Sequence, residues 1–198
     1  NFYTHLDIDA QMSAAKFLGN RKGAVVAIDL DVGGINVLYS SPAYSINKLS
    51  NGMSENEFQT LIDDPNKPFF NRALQGRYPP ASTIKPAIGM YGLSKNIVNW
   101  DFEMKDPGFF TLPETGRIFR GWLKGGHGKV NMHKAFLVSS NTYFFSLAYQ
   151  ADITELSDHL SNLGFGKKVC LDCFDEDQAF VPTPEWKFSN MNAGWVKG

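Results

Sequence analysis

Ser82 and Lys85 lie three positions apart in the segment RYPPASTIKP, residues 77–86. Residues with this spacing share one face of a helix, so the Lys85 amine is expected to reach the Ser82 hydroxyl. A serine hydroxyl is a poor nucleophile until a neighbouring base removes its proton. A lysine can be that base when burial penalises its charged form and lowers its pKa. The pair therefore predicts a serine nucleophile that needs no histidine.

The spacing alone does not identify a site, because Ser-x-x-Lys occurs three times in the chain. The pair that starts at Ser13 falls in an amphipathic helical pattern, where both side chains are expected to be solvated. The pair that starts at Ser45 falls in a polar stretch and is expected to lie in a loop. Only Ser82 follows two prolines and begins an apolar periodic run, which predicts a helix to about Lys95. A serine at this position can be a nucleophile beside the positive helix end or simply an N-cap.

The composition predicts a folded chain and gives no reason to expect nucleic-acid binding. Of 198 residues, 43% are hydrophobic and 14% aromatic, which suits one domain or most of a larger one. The net charge of −1 gives no electrostatic case for nucleic acid or an anionic membrane surface. No apolar run approaches the ~18–20 residues of a spanning helix. The start of the chain lacks a signal-peptide pattern, so none is expected.

Cys170 and Cys173 form a lone Cys-x-x-Cys, with four acidic residues between positions 172 and 177. A zinc ribbon would need a second pair of cysteines. Acidic neighbours raise a thiol pKa and disfavour a thioredoxin-like site. An incidental pair or a local disulfide is one interpretation, and redox or metal chemistry is the other.

The pattern of apolar and turn residues predicts a mixed α/β (α+β) fold, in which helices back a sheet. Two β-rich runs, 23–30 and 35–40, flank a Gly-rich turn and predict a hairpin. Residues 96–128 are rich in Gly and Pro and are predicted to be mostly irregular. Helices are predicted at 7–19, 55–64, 131–138, 141–149 and 152–163; in the last, Asp152 and Glu155 resemble a capping box.

Ser139 and Asn141 lie at a joint between two of the predicted apolar helices. A short polar turn there can present a hydroxyl and an amide to a cleft. Such groups could relay a proton, hydrogen-bond the lysine and bind a substrate amide. Ser-x-Asn also begins at three other serines, and a helix-breaking cap is the alternative interpretation of this one.

Together, Ser82-x-x-Lys85 and Ser139-x-Asn141 resemble two motifs of the serine DD-peptidase and penicillin-binding superfamily. The surrounding sequence is similar to that of class B penicillin-binding proteins, the transpeptidases of bacterial cell elongation. The similarity runs nearly end to end. It is carried by GAVVAID at 23–29, NRALQGRYPP at 71–80, GGHGKV at 125–130 and PTPEWK at 182–187.

The resemblance implies a peptidoglycan D,D-transpeptidase that cross-links stem peptides through an acyl-serine intermediate and is a target of β-lactams. Ser82 would attack the D-Ala–D-Ala carbonyl, and Lys85 would be the general base for acylation. Ser139 and Asn141 would relay protons and hold the amide of the substrate or the β-lactam. The resemblance implies no cofactor.

The same resemblance implies the fold, the location and the partners. The fold is expected to be the helical side and part of the antiparallel sheet of a DD-peptidase/β-lactamase-like transpeptidase. Residues 1–198 would form a partial transpeptidase domain, without membrane anchor or pedestal domain. The expected location is the periplasmic face of the bacterial inner membrane. Expected partners are stem peptides, β-lactams and elongation-machinery membrane proteins including a glycosyltransferase, with no nucleic acid.

Two departures from the family's pattern matter. The third motif, Lys-Thr/Ser-Gly, is absent, and Lys197-Gly198 is not taken for it because no strand pattern precedes these residues. We therefore expect the 198-residue chain by itself to be impaired. Some relatives bind a metal near the second motif through an Asp, a His and a Cys. Asp106 and His127 are present here, but Gly121 and Ser140 stand where further ligands would lie, so no metal is expected.

Two other functions remain open from the sequence. A serine β-lactamase shares both motifs but needs a dedicated deacylation base, such as a glutamate in a Glu-x-x-Leu-Asn loop, and the sequence shows none. A non-catalytic sensor or scaffold module that binds β-lactams or elongation partners is the second alternative, which the absence of the third motif leaves open.

Overall fold

The structure of the protein is a computed structural model that describes residues 3–192. The chain divides into two units. Residues 3–77 and 170–177 form the first, and residues 78–169 and 178–192 form the second. Both units mix helices with antiparallel strands, which confirms the predicted α+β class.

The first unit is built on a hairpin. Strand β1 (Gly23–Ile28) pairs antiparallel with β2 (Ile35–Ser41), as predicted. Helix α1 (Ile8–Leu18) begins after Asp7, whose carboxylate accepts hydrogen bonds from two backbone N–H groups of the first turn. The Gln11 side chain ties α1 to β2, because it bonds both the N–H and the C=O of Leu38, at 2.9 and 3.2 Å.

Two further helices follow the hairpin. The predicted loop at Ser45 is wrong, because the Ser45 hydroxyl accepts a hydrogen bond from the Lys48 N–H and caps α2 (Ile46–Ser50). The predicted helix at 55–64 is confirmed as α3 (Glu55–Asp63). A reciprocal capping box between Ser54 and Glu57 starts it, which satisfies two backbone groups at once.

The Cys-x-x-Cys segment belongs to the first unit, and its two sulfurs are joined in a disulfide. The local disulfide left open by the sequence is therefore the form present here. The sulfur of a disulfide is not a thiolate, so this form offers no thiolate ligand to a metal. Downstream, Asp177 fixes the segment, because its N–H bonds the Leu74 C=O at 2.9 Å and its carboxylate pairs with Arg77 at 2.8 Å.

The second unit is mostly helical. One turn of 3₁₀ helix (Ala81–Ile84) leads into α4 (Lys85–Ser94). The sequence predicted a helix from Ser82 to about Lys95, so its predicted end is correct to within one residue. The predicted helices at 131–138, 141–149 and 152–163 are confirmed as α5 (Met132–Leu137), α6 (Asn141–Gln150) and α7 (Ile153–Asn162). Helix α8 (Pro184–Met191) was not predicted, although the Thr183 cap and Pro184 in the first turn were signals for it.

The prediction of an irregular segment at 96–128 is wrong in part. Strand β3 (Met104–Asp106) pairs antiparallel with β6 (Gly128–Val130), and β4 (Phe109–Thr111) pairs antiparallel with β5 (Ile118–Arg120). Each of these strands has three residues, which is too short for an alternating pattern to reveal in the sequence.

The core of the second unit lies between α4, α5 and α6. Its buried residues include Val98, Val130, Met132, Ala135, Tyr143, Phe144 and Leu147. A second cluster joins α4 to α7 through Tyr91, Ala151 and Leu156. Asp152 caps α7 as predicted, but Glu155 contacts the Lys95 amine at 2.9 Å and the Tyr91 hydroxyl at 3.3 Å. In residues 3–192, no helix combines the length and apolar character that crossing a membrane would take.

We predict that Gly92→Ala destabilises the protein by about 1–3 kcal/mol, the cost of overpacking a core. A Cβ at this position of α4 would lie 2.6 Å from Leu147 Cδ1 and 3.1 Å from Val98 Cγ2. Helix propensity alone predicts the opposite, a gain of about 1 kcal/mol. Urea denaturation measures the difference. The control is Met90→Ala on the exposed face of the same helix, which is expected to be near neutral; a stabilised Gly92→Ala variant would contradict the packing.

Candidate active site

Ser82 lies in the 3₁₀ turn that precedes α4, and its side chain is exposed. Pro80 is the N-cap residue of this turn, and Ile84 is the N-cap residue of α4. At neither position does a side chain accept a capping hydrogen bond. The alternative that Ser82 is only an N-cap is therefore wrong. The turn is entered through Ala81, whose φ of +49° lies in a region that non-glycine residues rarely adopt.

Lys85 is the first residue of α4, and only 7% of its surface is exposed. Its Nζ donates to Ser139 O at 2.8 Å, to Ser139 Oγ at 2.9 Å and to Asn141 Oδ1 at 2.7 Å. The structure therefore brings the base of the first motif onto both polar residues of the second.

Ser139 connects the lysine to the nucleophile. Its hydroxyl donates to Ser82 Oγ at 2.9 Å, and the same oxygen lies 2.9 Å from Lys85 Nζ. We expected Lys85 to contact Ser82 directly, but the described contacts include no hydrogen bond between the two side chains. They are linked instead through Ser139 Oγ. The spacing of the first motif could not show this, because Ser139 comes from a distant part of the chain.

The second motif is a turn between α5 and α6, as the sequence predicted. Ser139 has a φ of +51°, which is a strained conformation for a serine. Ser140 is the N-cap of α6, and its Oγ accepts from the Tyr143 N–H at 3.2 Å. Trp122 donates its indole N–H to Val138 O at 3.0 Å, just before the turn. The turn is thus fixed from both sides of Ser139.

The surroundings of Lys85 favour its uncharged form. Burial lowers the pKa of Lys85 below its ordinary value of 10.5, because desolvation penalises the ammonium. The ring of Phe144, whose centroid is 5.5 Å from Nζ, attracts the ammonium through its π face and acts against this effect. Removal of a serine proton requires the uncharged amine, and a lowered pKa increases the share of that form at any given pH.

Asp106, at the end of β3, is a buried carboxylate beside this turn, with a side chain that is 2% exposed. Its Oδ2 accepts from Ser140 Oγ at 2.7 Å and lies 2.9 Å from His127 Nδ1, and its Oδ1 accepts from the Gly108 N–H at 2.7 Å. Burial alone would raise the pKa of Asp106, but these hydrogen bonds outweigh it and lower the pKa to about 2.

The residues around Asp106 do not fit a metal. Asp106 and His127 supply two ligand groups; Gly121 has no side chain, and a neutral serine hydroxyl at position 140 is a poor third ligand. Both Asp106 oxygens already have hydrogen-bond partners, which are Ser140 Oγ and His127 Nδ1 at Oδ2 and the Gly108 N–H at Oδ1. Within residues 3–192, the group of three His, Cys, Asp or Glu side chains close enough to share an ion is Cys170, Asp172 and Cys173, whose sulfurs form the disulfide.

The other two Ser-x-x-Lys pairs do not form comparable sites. Ser13 and Lys16 are both exposed on α1, as predicted. Ser45 is occupied as the cap of α2. Only the pair at Ser82 meets a second polar motif, and position in the fold, rather than spacing, distinguishes the three.

Comparison with known proteins identifies the family of this chain. The chain matches the family described as "Penicillin binding protein transpeptidase domain" over residues 23–195, and therefore belongs to it. One relative is the peptidoglycan D,D-transpeptidase MrdA of Acinetobacter baumannii, to which the chain is 42% identical over 198 residues. The aligned region covers all of this chain and 30% of that protein. The expected resemblance to class B penicillin-binding proteins is thereby confirmed.

Solved structures show the same fold. Pseudomonas aeruginosa PBP2, solved in complex with WCK 5153, matches with a TM-score of 0.94 and 36% identity, over 98% of this chain and 42% of that one. Helicobacter pylori PBP2, solved in complex with MreC, matches with a TM-score of 0.90 and 32% identity, over 96% of this chain and 35% of that one. The transpeptidase fold predicted from the sequence is confirmed.

Several expectations are not tested by these comparisons, among them the roles of Ser82, Lys85, Ser139 and Asn141 and the location of the protein. The chain spans less than a third of the length of the A. baumannii relative, so the extent of the domain stays a prediction. The interpretation of Lys197-Gly198 concerns residues outside the described part of the chain.

We predict that the Lys85 amine loses its proton below the ordinary lysine pKa of 10.5. Between the two pKa values the folded chain holds fewer protons on Lys85 than the unfolded chain does. This group's contribution to the free energy of unfolding therefore rises with pH across that interval. NMR titration of the lysine side-chain carbons measures the pKa, and the spectrum of Lys85→Arg assigns the resonance. Titration at or above 10.5 would contradict the effect of burial.

Proposed function

We propose that the protein is a serine-type peptidoglycan D,D-transpeptidase, which cross-links stem peptides through an acyl-serine intermediate. One observation carries the proposal: the hydrogen-bonded chain from Lys85 Nζ through Ser139 Oγ to Ser82 Oγ, with both links at 2.9 Å. It connects an exposed hydroxyl to a buried amine of lowered pKa. The matching family and the similarity to a named D,D-transpeptidase support the same function.

In this proposal Ser139 relays the proton between Ser82 and Lys85. With Lys85 charged, the chain runs from donor to acceptor towards Ser82. With Lys85 neutral, the same two hydrogen bonds can run the other way. The Ser82 proton then passes to Ser139 Oγ while the Ser139 proton passes to Lys85 Nζ. General-base assistance of this kind contributes about 10²–10⁴-fold to a rate.

The bond changes balance over two steps. Ser82 Oγ attacks the carbonyl carbon of the penultimate D-alanine, and the amide bond to the terminal D-alanine breaks. The leaving amine takes the proton held by Lys85, so a neutral amine departs. An amine of a neighbouring stem then attacks the acyl-serine, and its proton returns through the same relay to Ser82. Asn141, held at 2.7 Å from Lys85, is placed to bind the amide of the donor peptide.

A β-lactam would acylate the same oxygen, because its strained amide presents the same carbonyl to Ser82. We propose that the acyl-enzyme then persists, since the sequence shows no dedicated deacylation base. No cofactor is needed for either step, because the lysine supplies the base and the serine supplies the nucleophile.

We further propose the periplasmic face of the bacterial inner membrane as the location, since peptidoglycan is assembled there. Elongation-machinery membrane proteins, including a glycosyltransferase, are the proposed partners. Support comes from the H. pylori PBP2 relative, which was solved in complex with MreC.

We predict that a β-lactam acylates Ser82 alone. The experiment uses the longest form of the protein that contains this sequence. Intact-mass analysis after incubation with a penicillin should show one adduct on the wild type and none on the Ser82→Ala variant. The matched control is Ser13→Ala, because Ser13 begins an equally spaced but exposed Ser-x-x-Lys pair. The adduct should persist for hours, whereas rapid loss with product release would indicate a β-lactamase. An adduct on Ser82→Ala would refute the assignment.

We predict that Lys85→Arg lowers the acylation rate by at least about 10²-fold, the lower range of general-base contributions. Arginine keeps the charge and nearly the length of lysine, but it cannot lose its proton at accessible pH. Stopped-flow measurement with a fluorescent penicillin gives the rate, and circular dichroism confirms that the variant is folded. Lys16→Arg, on the exposed face of α1, is the control. A folded Lys85→Arg variant that acylates at the wild-type rate would place the base elsewhere.

A further inference from the structure

Three buried polar side chains beside the catalytic turn form one hydrogen-bonded group, called here the Asp106 cluster: Asp106, His127 and Ser140. They come from the end of β3, from the residue before β6 and from the N-cap of α6. The side chains of Asp106 and His127 are 2% and 9% exposed, and Ser140 is fully buried. A carboxylate accepts both hydrogen bonds at one oxygen, so the cluster links three separate segments through a single atom.

The cluster is directly attached to the active site. Ser140 lies between Ser139 and Asn141, the two residues that contact Lys85. Its Oγ donates to Asp106 at 2.7 Å and accepts from the Tyr143 N–H at 3.2 Å, so the hydroxyl is satisfied on both sides. Its backbone N–H bonds the Ala135 C=O at 2.8 Å. A shift of Ser140 would therefore move Ser139 Oγ away from Ser82 or Lys85.

The strain at Ser139 makes this attachment necessary. A serine at a φ of +51° is strained and persists only where the surroundings hold it. The Asp106–Ser140 hydrogen bond is a charged, buried contact, which is stronger than a neutral one. Its hydrogen bonds lower the pKa of Asp106 to about 2, so the carboxylate is ionised near neutral pH. The tether therefore does not switch with pH near neutrality.

We propose that the Asp106 cluster positions Ser139 and Asn141 for acylation by hydrogen bonds alone, without a metal ion. Asp106 is then a positioning residue, which acts through Ser140 and does not touch the substrate. This inference rests on the proposed function. It also explains why Asp106 and His127 are buried together although the site does not fit a metal. Gly121 offers no ligand atom, and Ser140 offers only a neutral hydroxyl.

The test separates positioning from general stability. Two-step acylation kinetics with a fluorescent penicillin give the dissociation constant of the first complex and the acylation rate constant. They are measured in the longest form of the protein that carries this sequence. Asp106→Asn and Ser140→Ala should each lower the rate constant by about 10–100-fold, because small misplacements of reacting groups have effects of this size. The dissociation constant should change little.

Ser157→Ala is the matched control. Ser157 is a second buried serine of the same unit, and its Oγ lies 2.7 Å from Ile153 O and 2.8 Å from Pro182 O, away from the turn. It should lower the melting temperature comparably and leave the acylation rate within about twofold. Ser140→Thr, which keeps the hydroxyl, should recover part of the rate. The double variant Asp106→Asn/Ser140→Ala should lose little more than the worse single variant, since both break one contact.

Folded Asp106→Asn and Ser140→Ala variants with wild-type acylation rate constants would overturn the proposal. The proposal would also be overturned if Ser157→Ala lowered the acylation rate constant as much as Asp106→Asn and Ser140→Ala do. The claim that the cluster acts without a metal ion has its own test. A zinc chelator should leave the acylation rate constant of the wild type unchanged. Loss of rate on chelation, restored by added zinc, would overturn that part.

A second readout does not depend on catalysis. The Lys85 resonance in the NMR titration reports the positions of Ser139 and Asn141, because both contact its amine. Its titration should change in Asp106→Asn and Ser140→Ala and should not change in Ser157→Ala. If the wild type is not acylated by a penicillin, the proposed function fails, and this titration still decides whether the cluster positions the turn.

Discussion

The structure of the site depends on the burial of one amine, that of Lys85. An ammonium without partners is costly to bury, so three oxygen acceptors from Ser139 and Asn141 surround it. The lysine begins α4, whereas its acceptors are Ser139, between α5 and α6, and Asn141, the first residue of α6. The contact therefore exists only when these three helices pack, and their shared core provides that packing.

Two strained backbone positions lie at or beside the two bonded serines. Ala81 and Ser139 both have a positive φ, at +49° and +51°, although neither is a glycine. Ala81 precedes Ser82, and Ser139 carries the hydroxyl that bonds Ser82. Strain of this kind is held only by surrounding packing and hydrogen bonds, and it places two hydroxyls 2.9 Å apart.

Burial acts in opposite ways on the two ionisable groups nearest the turn. It lowers the pKa of Lys85, which brings the amine closer to the neutral form that can accept a proton. Asp106 is buried as well, but its hydrogen-bond donors outweigh desolvation and lower its pKa to about 2. The first group is suited to proton transfer. The second remains charged and suited to holding structure.

The sequence by itself determined the hairpin, most of the helices and the four candidate residues. Periodicity and caps predicted the helices from α4 to α7, because these depend on neighbouring residues. The resemblance identified Ser82, Lys85, Ser139 and Asn141. Only the tertiary structure decided that Ser139 links Lys85 to Ser82, that three-residue strands pair within residues 104–130, and that Asp106 bonds Ser140 in the turn between α5 and α6. These contacts join residues far apart in the chain, and nothing in local sequence encodes their distances.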